Sequence, residues 1–492
     1  MIRKSAFFAG CAVLLVPLPA WAETLAEALE AAYANNPSLT AQRANVRIAD
    51  EDVPLARSAG LPTVDGTATY QENVLTGKRQ PDVFYSDPDR QVVGSLYATA
   101  PIVTFGAVEN SVEAARQRVE ASRMGLRTTE SDLFTAVVGA YMDVLRDEAV
   151  VQLNQRNSEV LRFTLRETMD RQQAGDRGPT DVAQAEARVA LADSQLETAQ
   201  ARLIGSREEY VRLVGHPPVN LMQPPPLPQM PGAPQDAVEM AVDNNPQLLA
   251  AQAEREAAAA DVEAAESEFY PRVNAIGGLN YYDYLGSLDP GTAPRNSDQG
   301  TTAFVGVQLQ VPFFEGGRLS AQHRQAQARH SLTIERVLDA ERTVVADTRS
   351  AFATWRAAQR VIDSAQRGVE ANNRALSGLR AETSAGLRPL LDRLNAEQEL
   401  LNAEVTMVTA RRDAYVAGFV LLAAMGRAEA QDLNFDVATL YDPSLHYEEV
   451  RERVFQFERD PDPQAAGTTT LDTPPQDARV APAGQPPVPP VN

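Results

Sequence analysis

The sequence has few of the residues that form disulfides or metal sites, with one cysteine and four histidines. Cys11 lies in an N-terminal segment with a basic start, a short apolar core and an Ala-x-Ala cleavage site ending at Ala22, a pattern typical of a secretory signal. We therefore expect a mature chain that begins near Glu23 and forms no disulfide or thiolate metal site. His323 and His330 lack a carboxylate or cysteine at ligand spacing, so no metal site is predicted.

Signatures of catalysis are also missing. The sequence has no glycine-rich phosphate loop, no nucleophile elbow and no HExxH helix, which indicates neither an enzyme nor a protein that binds a cofactor. The formal net charge of −21 disfavours a nucleic-acid partner, because nucleic acids are polyanions. After the N-terminal segment there is no run of about 20 apolar residues, so any part of the chain that enters a membrane would consist of strands.

What the sequence does contain is a long internal repeat. The motif Asn-Asn-Pro at 35–37 recurs at 244–246, which is 209 residues later, and Gly106 recurs as Gly317, which is 211 residues later. The register changes only once, by two residues. A period of this length indicates a duplicated half-domain and not a solenoid unit of roughly 20–50 residues.

Composition divides the chain into six segments. Prolines separate the two repeats, and the last part of the chain is rich in proline, alanine, aspartate and glutamine, which is typical of disorder. The predicted segments are a signal peptide (1–22), a first repeat (23–215), a proline-rich linker (216–235), a second repeat (236–426), a C-terminal segment (427–458) and a disordered tail (459–492).

Both repeats have the same predicted order of elements. A helix of about 35 residues opens each repeat and ends before a proline, Pro62 or Pro271, after which the hydrophobic pattern changes to the period of two found in strands. Two strands of about ten residues follow, with polar loops around 76–89 and 286–300 between them. Next come a proline-free helix of about 67 residues, a break that contains glycine, and a helix of about 35 residues.

These lengths favour a rod-like body. A helix of about 67 residues spans about 100 Å and could pair along its side with two shorter helices stacked end to end. The strands fit either a membrane β-barrel or a half-buried hairpin of a soluble domain, and their pattern does not separate the two. Because four strands cannot close a barrel, a membrane location requires several copies of the chain, which would form an outer-membrane duct that reaches into the periplasm.

Taken together, these features resemble the TolC family of outer-membrane efflux and secretion channels. The resemblance covers about residues 23–430, and its carriers are the Asn-Asn-Pro openings, the helix-to-strand junctions at Pro62 and Pro271, the segment Pro-Phe-Phe-Glu-Gly-Gly at 312–317 and the segment Ala-Gly-Leu-Arg-Pro-Leu-Leu-Asp-Arg-Leu-Asn-Ala-Glu at 385–397. It implies a mainly helical fold of duplicated long hairpins, and a homotrimer in which each chain adds four strands to a twelve-stranded barrel in outer-membrane lipid.

The same resemblance implies a periplasmic α-barrel, an equatorial belt built from the linker and the C-terminal segment, and a constricted periplasmic tip. In such channels the tip opens when a periplasmic adaptor and an inner-membrane transporter of the RND or ABC class dock. The alternative function is a secreted periplasmic coiled-coil scaffold or adaptor protein. Small-molecule efflux and protein secretion are not separated by the sequence.

The resemblance also assigns residues to the tip. They are Gly175, Arg177 and Gly386 at the helix turns, Thr180, Asp181 and Arg388 in a polar latch, and Asp392 and Asn395 at the pore constriction. Helix capping is the alternative role for the glycines and for Thr180, and a solvated helix position is the alternative for Asp392. Asn395 stands where other members of the family have a second acidic residue, which implies weaker cation selectivity.

Overall fold

The computed structural model describes residues 22–74, 88–227, 230–287, 298–433, 435, 440–454 and 461–480. The predicted signal peptide up to residue 21, most of both polar loops, and residues 459–460 and 481–492 of the predicted tail lie outside these ranges. The first repeat contains α1 (Leu25–Asn35), α2 (Pro37–Ser58), β1 (Thr63–Glu72), β2 (Arg90–Val103), α3 (Ala107–Gln173) and α4 (Pro179–Val214). The second repeat contains α5 (Pro234–Asn244), α6 (Pro246–Ser267), β3 (Arg272–Asp283), β4 (Gln299–Gln310), α7 (Arg318–Ser384) and α8 (Leu390–Ala424), and α9 (Ser444–Val450) follows it.

The single helix expected at the start of each repeat is in fact two helices, because the Asn-Asn-Pro motif interrupts it. Asn36 has an extended backbone, which proline favours in the residue before it. Its side-chain oxygen accepts the backbone N–H of Ser38 at 2.9 Å, and its amide donates to the carbonyl of Leu213 at 2.9 Å. Asn245 caps α6 in the same way and donates to the carbonyl of Ala424 at 3.0 Å. The motif therefore joins the start of α2 to the end of α4 in the first repeat, and the start of α6 to the end of α8 in the second.

The four strands form one antiparallel sheet in the order β1-β2-β3-β4. Its central pair, β2 and β3, connects the two repeats, with Thr99 opposite Ile276. Pro62 and Pro271 directly precede β1 and β3, where the missing N–H removes no hydrogen bond from the middle of a strand. The edge strands β1 and β4 are exposed along nearly their whole length. The edges of the sheet are therefore not covered by the helical core.

The two long helices organise the rest of the molecule. α3 and α7 have 67 residues each, so each is about 100 Å long. α3 packs against α2 and α4 of its own repeat and against α6 and α8 of the other, whereas α7 packs against α5, α6 and α8. The expected pairing of one long helix with two shorter ones is present in both repeats. Within the described ranges, no helix combines the length and the apolar character needed to cross a membrane.

The principal hydrophobic core surrounds the middle of α3. It contains the buried rings Phe134, Tyr141, Tyr210, Phe419 and Phe435, which come from both repeats and from the chain that follows α8. The Tyr141 hydroxyl also donates to the carbonyl of Met222 at 2.6 Å, so the linker is held on this core. The C-terminal ends of α4 and α8, which close the two repeats, therefore pack in the same core.

The predicted disordered tail differs from the structure in its middle part. Residues 467–480, here named the C-terminal strap, lie along the first repeat. The N–H of Thr468 donates to the carbonyl of Asn35 at 3.3 Å, and Ala478 and Val480 pack against the principal core. Composition did not indicate this position, because the strap forms no helix or strand and the contacts that place it on the first repeat are with residues distant in the sequence.

Candidate gate at the helix-turn tip

The two turns that end the long helices have the same local geometry. Gly175 and Gly386 have φ angles of 81° and 77°, in the left-handed region that glycine adopts without steric cost. After α3, the N–H of Asp176 donates to the carbonyl of Arg171 at 2.9 Å. After α7, the N–H of Leu387 donates to the backbone carbonyl of Glu382, also at 2.9 Å. This hydrogen-bond pattern is the Schellman motif, so both glycines have the capping role that the sequence offered as an alternative.

Of the residues assigned to the latch, Thr180 and Asp181 lie in the first turn of α4, and Arg388 lies in the turn before α8. The assigned tip residue Arg177 lies in the turn before α4, and the constriction residue Asp392 lies in the first turn of α8. Arg177 Nη1 is 3.8 Å from Asp181 Oδ2, and Arg388 Nη1 is 3.6 Å from Asp392 Oδ2, so each turn contains the same arginine–aspartate pair four residues apart. Thr180 is exposed beside Asp181. The duplicated motif Gly-x-Arg-x-x-x-Asp thus produces two matching ion pairs.

Arg388 is held by groups of its own repeat. Its Nε donates to Glu382 Oε2 at 3.1 Å, in addition to the contact with Asp392. The side chains of Arg388 and Asp392 are 55% and 37% exposed, a setting in which an ion pair contributes roughly 0–1 kcal/mol. The structure therefore places Arg388 in the second turn with exposed partners, and does not bring it to Thr180 or Asp181 of the same chain.

The assigned constriction residue Asn395 connects the two repeats. Its Oδ1 accepts a hydrogen bond from Nη2 of Arg188 at 2.5 Å, which joins α8 to α4. Sequence reasoning did not select Arg188, because it lies two turns into α4 and in no motif. The available signal was a difference between the repeats. The residue of α8 that matches Arg188 is Glu399, which has the opposite charge.

A second connection between the repeats was also missed. Arg393 donates from Nη2 to Thr164 Oγ1 at 3.1 Å and lies 3.4 Å from Glu167 Oε2, both on α3. Its Nε also donates to Glu397 Oε1 at 3.2 Å, and Glu397 is 4% exposed. The spacing of Arg393 and Glu397 by four residues was the available signal for this cluster. These contacts hold α8 against α3 near the tip.

Thr383, in the last turn of α7, lies buried beside this cluster. It is 3% exposed, and in the described part of the chain its hydroxyl has no hydrogen-bond partner. It lines a small recess together with Glu167, Arg171, Arg177 and Arg393. The recess is polar and lies between the two turns, which places an unsatisfied hydroxyl inside the cluster that joins them.

Comparison with known proteins agrees with this architecture. The protein-family model described as "Outer membrane efflux protein" matches residues 28–216 and 237–427, which are the two repeats. The outer membrane efflux protein BepC of Brucella suis is 32% identical over 450 residues, covering 90% of this chain and 93% of BepC. The outer membrane protein TolC of Vibrio cholerae is 26% identical over 434 residues, covering 87% of this chain and 96% of TolC.

The fold is also similar to that of solved channels. The crystal structure of the Campylobacter jejuni CmeC outer membrane channel superimposes with a TM-score of 0.71 at 16% identity, covering 87% of this chain and 89% of CmeC. The matched region includes most of the chain, and the family model divides at the same place as the internal repeat. The chain therefore belongs to the TolC family of outer-membrane efflux and secretion channels, which are transport proteins and not enzymes.

Proposed function

We propose that three copies of this chain form a passive exit duct from the periplasm through the outer membrane, and that a periplasmic adaptor with an inner-membrane RND or ABC transporter opens its tip. The single observation that carries the proposal is the unequal burial of the two long helices. Both have 67 residues, yet 22 side chains are buried in α3 and only eight in α7. One repeat is enclosed by neighbours and the other is not.

The contacts of α3 identify what is missing beside α7. α3 packs against α6 and α8 of the following repeat, and α7 has no following repeat within its own chain. Because the repeats have the same elements, α2 and α4 of a second copy fit the open side of α7. Repetition of this step would close a ring of helices, and three is the number of copies that the family resemblance implies.

The sheet supports the same assembly. Val305, Val307 and Leu309 on one face of β4 are 93%, 69% and 63% exposed, so an apolar strip is open on an edge strand. In water such a strip favours aggregation, whereas in lipid it is the outer face of a barrel strand. Four strands from each of three copies would close the sheet and leave no edge. The predicted signal peptide, removed near Ala22, would direct the chain across the inner membrane.

Insertion of the purified protein into planar lipid bilayers tests the proposal. We expect discrete pores from the native chain and a loss of most pore-forming events from Val307→Asp, because a charge on the lipid-facing side of a barrel strand is destabilising. Gln308→Asp is the matched control, since Gln308 lies on the opposite face of the same strand, and it should still form pores. A native chain that stays soluble without detergent and forms no pores would favour the scaffold alternative.

A further inference from the structure

One ion pair in the chain joins the two repeats near the sheet. Arg118 on α3 bonds through Nη2 to Oδ2 of Asp261 on α6, with side chains that are 41% and 37% exposed. This contact lies where the first long helix packs on the opening helix pair of the second repeat. It therefore marks the register between one repeat and the next.

The same two charges occupy the matching positions of the other helices. Arg118 is twelfth in α3, and Arg329 is twelfth in α7, a helix of the same length. Asp261 is sixteenth in α6, and Asp52 is sixteenth in α2, again a helix of the same length. Both Arg329 and Asp52 are exposed in the single chain.

We propose that Arg329 of one copy pairs with Asp52 of the neighbouring copy, so that α7 meets the next α2 in the register in which α3 meets α6. The inference rests on the proposed assembly of several copies and adds the residues that align them. In this arrangement every long helix has the same charged contact with the following repeat, once within each chain and once between chains.

Exposed apolar residues near Asp52 and Arg329 indicate that α2 and α7 meet through the faces that carry these two charges. Ile48 on α2 is 66% exposed, whereas its counterpart on α6, Ala257, is only 1% exposed. On α7, Leu332 is 50% exposed, and its counterpart on α3, Ala121, is 7% exposed. Both proposed partner helices thus show large apolar side chains to solvent where the equivalent position in the chain is buried.

The pair is not a general consequence of the duplication. Arg412 on α8 bonds to Asp143 on α3 at 2.8 Å, and the matching positions of the repeat hold Ala201 and Thr354, which cannot form an ion pair. The positions that match Arg118 and Asp261 therefore hold an arginine and an aspartate, whereas those that match Arg412 and Asp143 do not. Because exposed pairs add little stability, we assign this one to the register and the specificity of assembly.

Crosslinking through introduced cysteines tests the pair, since no cysteine follows Cys11. The full chain carrying Asp52→Cys and Arg329→Cys is treated in outer membranes with a short bis-maleimide, because arginine and aspartate backbones in an ion pair are too far apart for a direct disulfide. We expect denatured products at two and three times the chain mass. The matched control carries Arg118→Cys and Asp261→Cys. It should react within one chain, so that its denatured product runs at the mass of a single chain.

The outcomes separate the inference from the proposed function. Native mass measurement that shows three copies, together with an absence of crosslinked chains, would overturn the Arg329–Asp52 pair and leave the duct intact. A native mass of one copy would overturn both. As a second readout, Arg329→Asp should reduce the assembled species several-fold, and the exchange of both charges with Asp52→Arg should restore it. Lack of restoration would also count against the pair.

Discussion

Single side chains explain why the repeat has the sequence that it has. Asn36 and Asn245 each cap one helix with the side-chain oxygen and reach the end of another with the side-chain amide. An ionised aspartate at either position could form the cap and not the second bond, because a carboxylate accepts hydrogen bonds and donates none. The recurrence of Asn-Asn-Pro therefore reflects a structural joint, and its position at equivalent places in both repeats follows from the duplication.

Glu130 on α3 has a carboxyl group whose pKa is strongly shifted by its surroundings. Its Oε1 accepts the backbone N–H of Ala430 at 2.6 Å, and burial raises the pKa of this carboxyl to about 7. Burial likewise raises the pKa of the neighbouring Glu429, which pairs with Arg127 at 2.9 Å. Two carboxyl groups thus share one region, with Arg127 and Arg43 as the nearby positive charges.

We expect the pH dependence of stability to report Glu130. Its pKa is higher in the folded chain than in the unfolded chain, so the folded state binds the proton more strongly and loses stability as the pH rises from about 4.5 to about 7. The contribution is on the order of 2–3 kcal/mol. Thermal unfolding of Glu130→Gln in detergent, measured at about pH 5 and about pH 8, should show a weaker pH dependence than the native chain. Glu159→Gln, at an exposed position of α3, is the control, and equal slopes for all three proteins would contradict the assignment.

At the scale of elements, the C-terminal strap is the part of the chain that belongs to neither repeat. Arg207 on α4 donates to the backbone carbonyls of Asp477 at 2.7 Å and Arg479 at 3.0 Å, and also to Glu148 on α3 at 2.6 Å. The N–H of Gln476 bonds to a carboxylate of the same helix at 2.9 Å. One arginine therefore connects α3, α4 and the strap.

Truncation separates this role from that of the chain end. A chain that stops after residue 466 should unfold at a lower temperature than the native chain, because Arg207 loses two hydrogen bonds of about 0.5–1.5 kcal/mol each and the principal core loses Ala478 and Val480. A chain that stops after residue 480 retains every described strap contact and should match the native unfolding temperature. Both are measured by circular dichroism on heating. Equal midpoints for the two truncations would show that the strap adds no stability.

At the scale of the whole molecule, the duplication would turn three chains of the proposed assembly into a nearly six-fold tube, and we infer that the differences between the repeats mark the gate. Arg177 with Asp181 and Arg388 with Asp392 are matching pairs, but only α8 carries Arg393 and Asn395, which bond to α3 and α4. The second repeat is thereby attached to the first near the tip by Arg393, whose matching residue in α4 is Val182, and by Asn395, whose matching residue is Gln184. In the proposed gate, a docking partner that displaces these contacts would free α7 and α8 to move.

We expect the double variant Arg388→Ser with Asp181→Ala to raise the basal conductance of pores in planar bilayers several-fold. The reason is that the proposed latch consists of exposed ion pairs of roughly 0–1 kcal/mol each, repeated by the symmetry of the assembly. Arg374→Ser removes the same charge from an exposed site on α7 away from the turn, and its pores should behave as native ones. Unchanged conductance in the double variant would argue against the latch.

Much of the fold was predictable because its signals are local. The ends of α3 at Gln173 and of α7 at Ser384 follow from glycines that adopt positive φ, and the strands after Pro62 and Pro271 follow from a period of two. The split of the opening helices was missed, although Asn-Asn-Pro is a capping signal, because the surrounding alanine-rich pattern continues across it. At the tip the turns were predicted and the cross-repeat partners Arg188 and Glu167 were not.

The sequence by itself determined the duplication, the family and the element order apart from the split of the opening helices, since helix and strand periods and turn chemistry depend on residues close in the chain. The tertiary structure decided which helices share a side chain, where the C-terminal strap lies, and that α7 has an open side that α3 lacks. Those features depend on contacts between residues hundreds of positions apart, which no local pattern encodes. Their physical basis is the packing of two similar repeats that occupy unequal places in one chain.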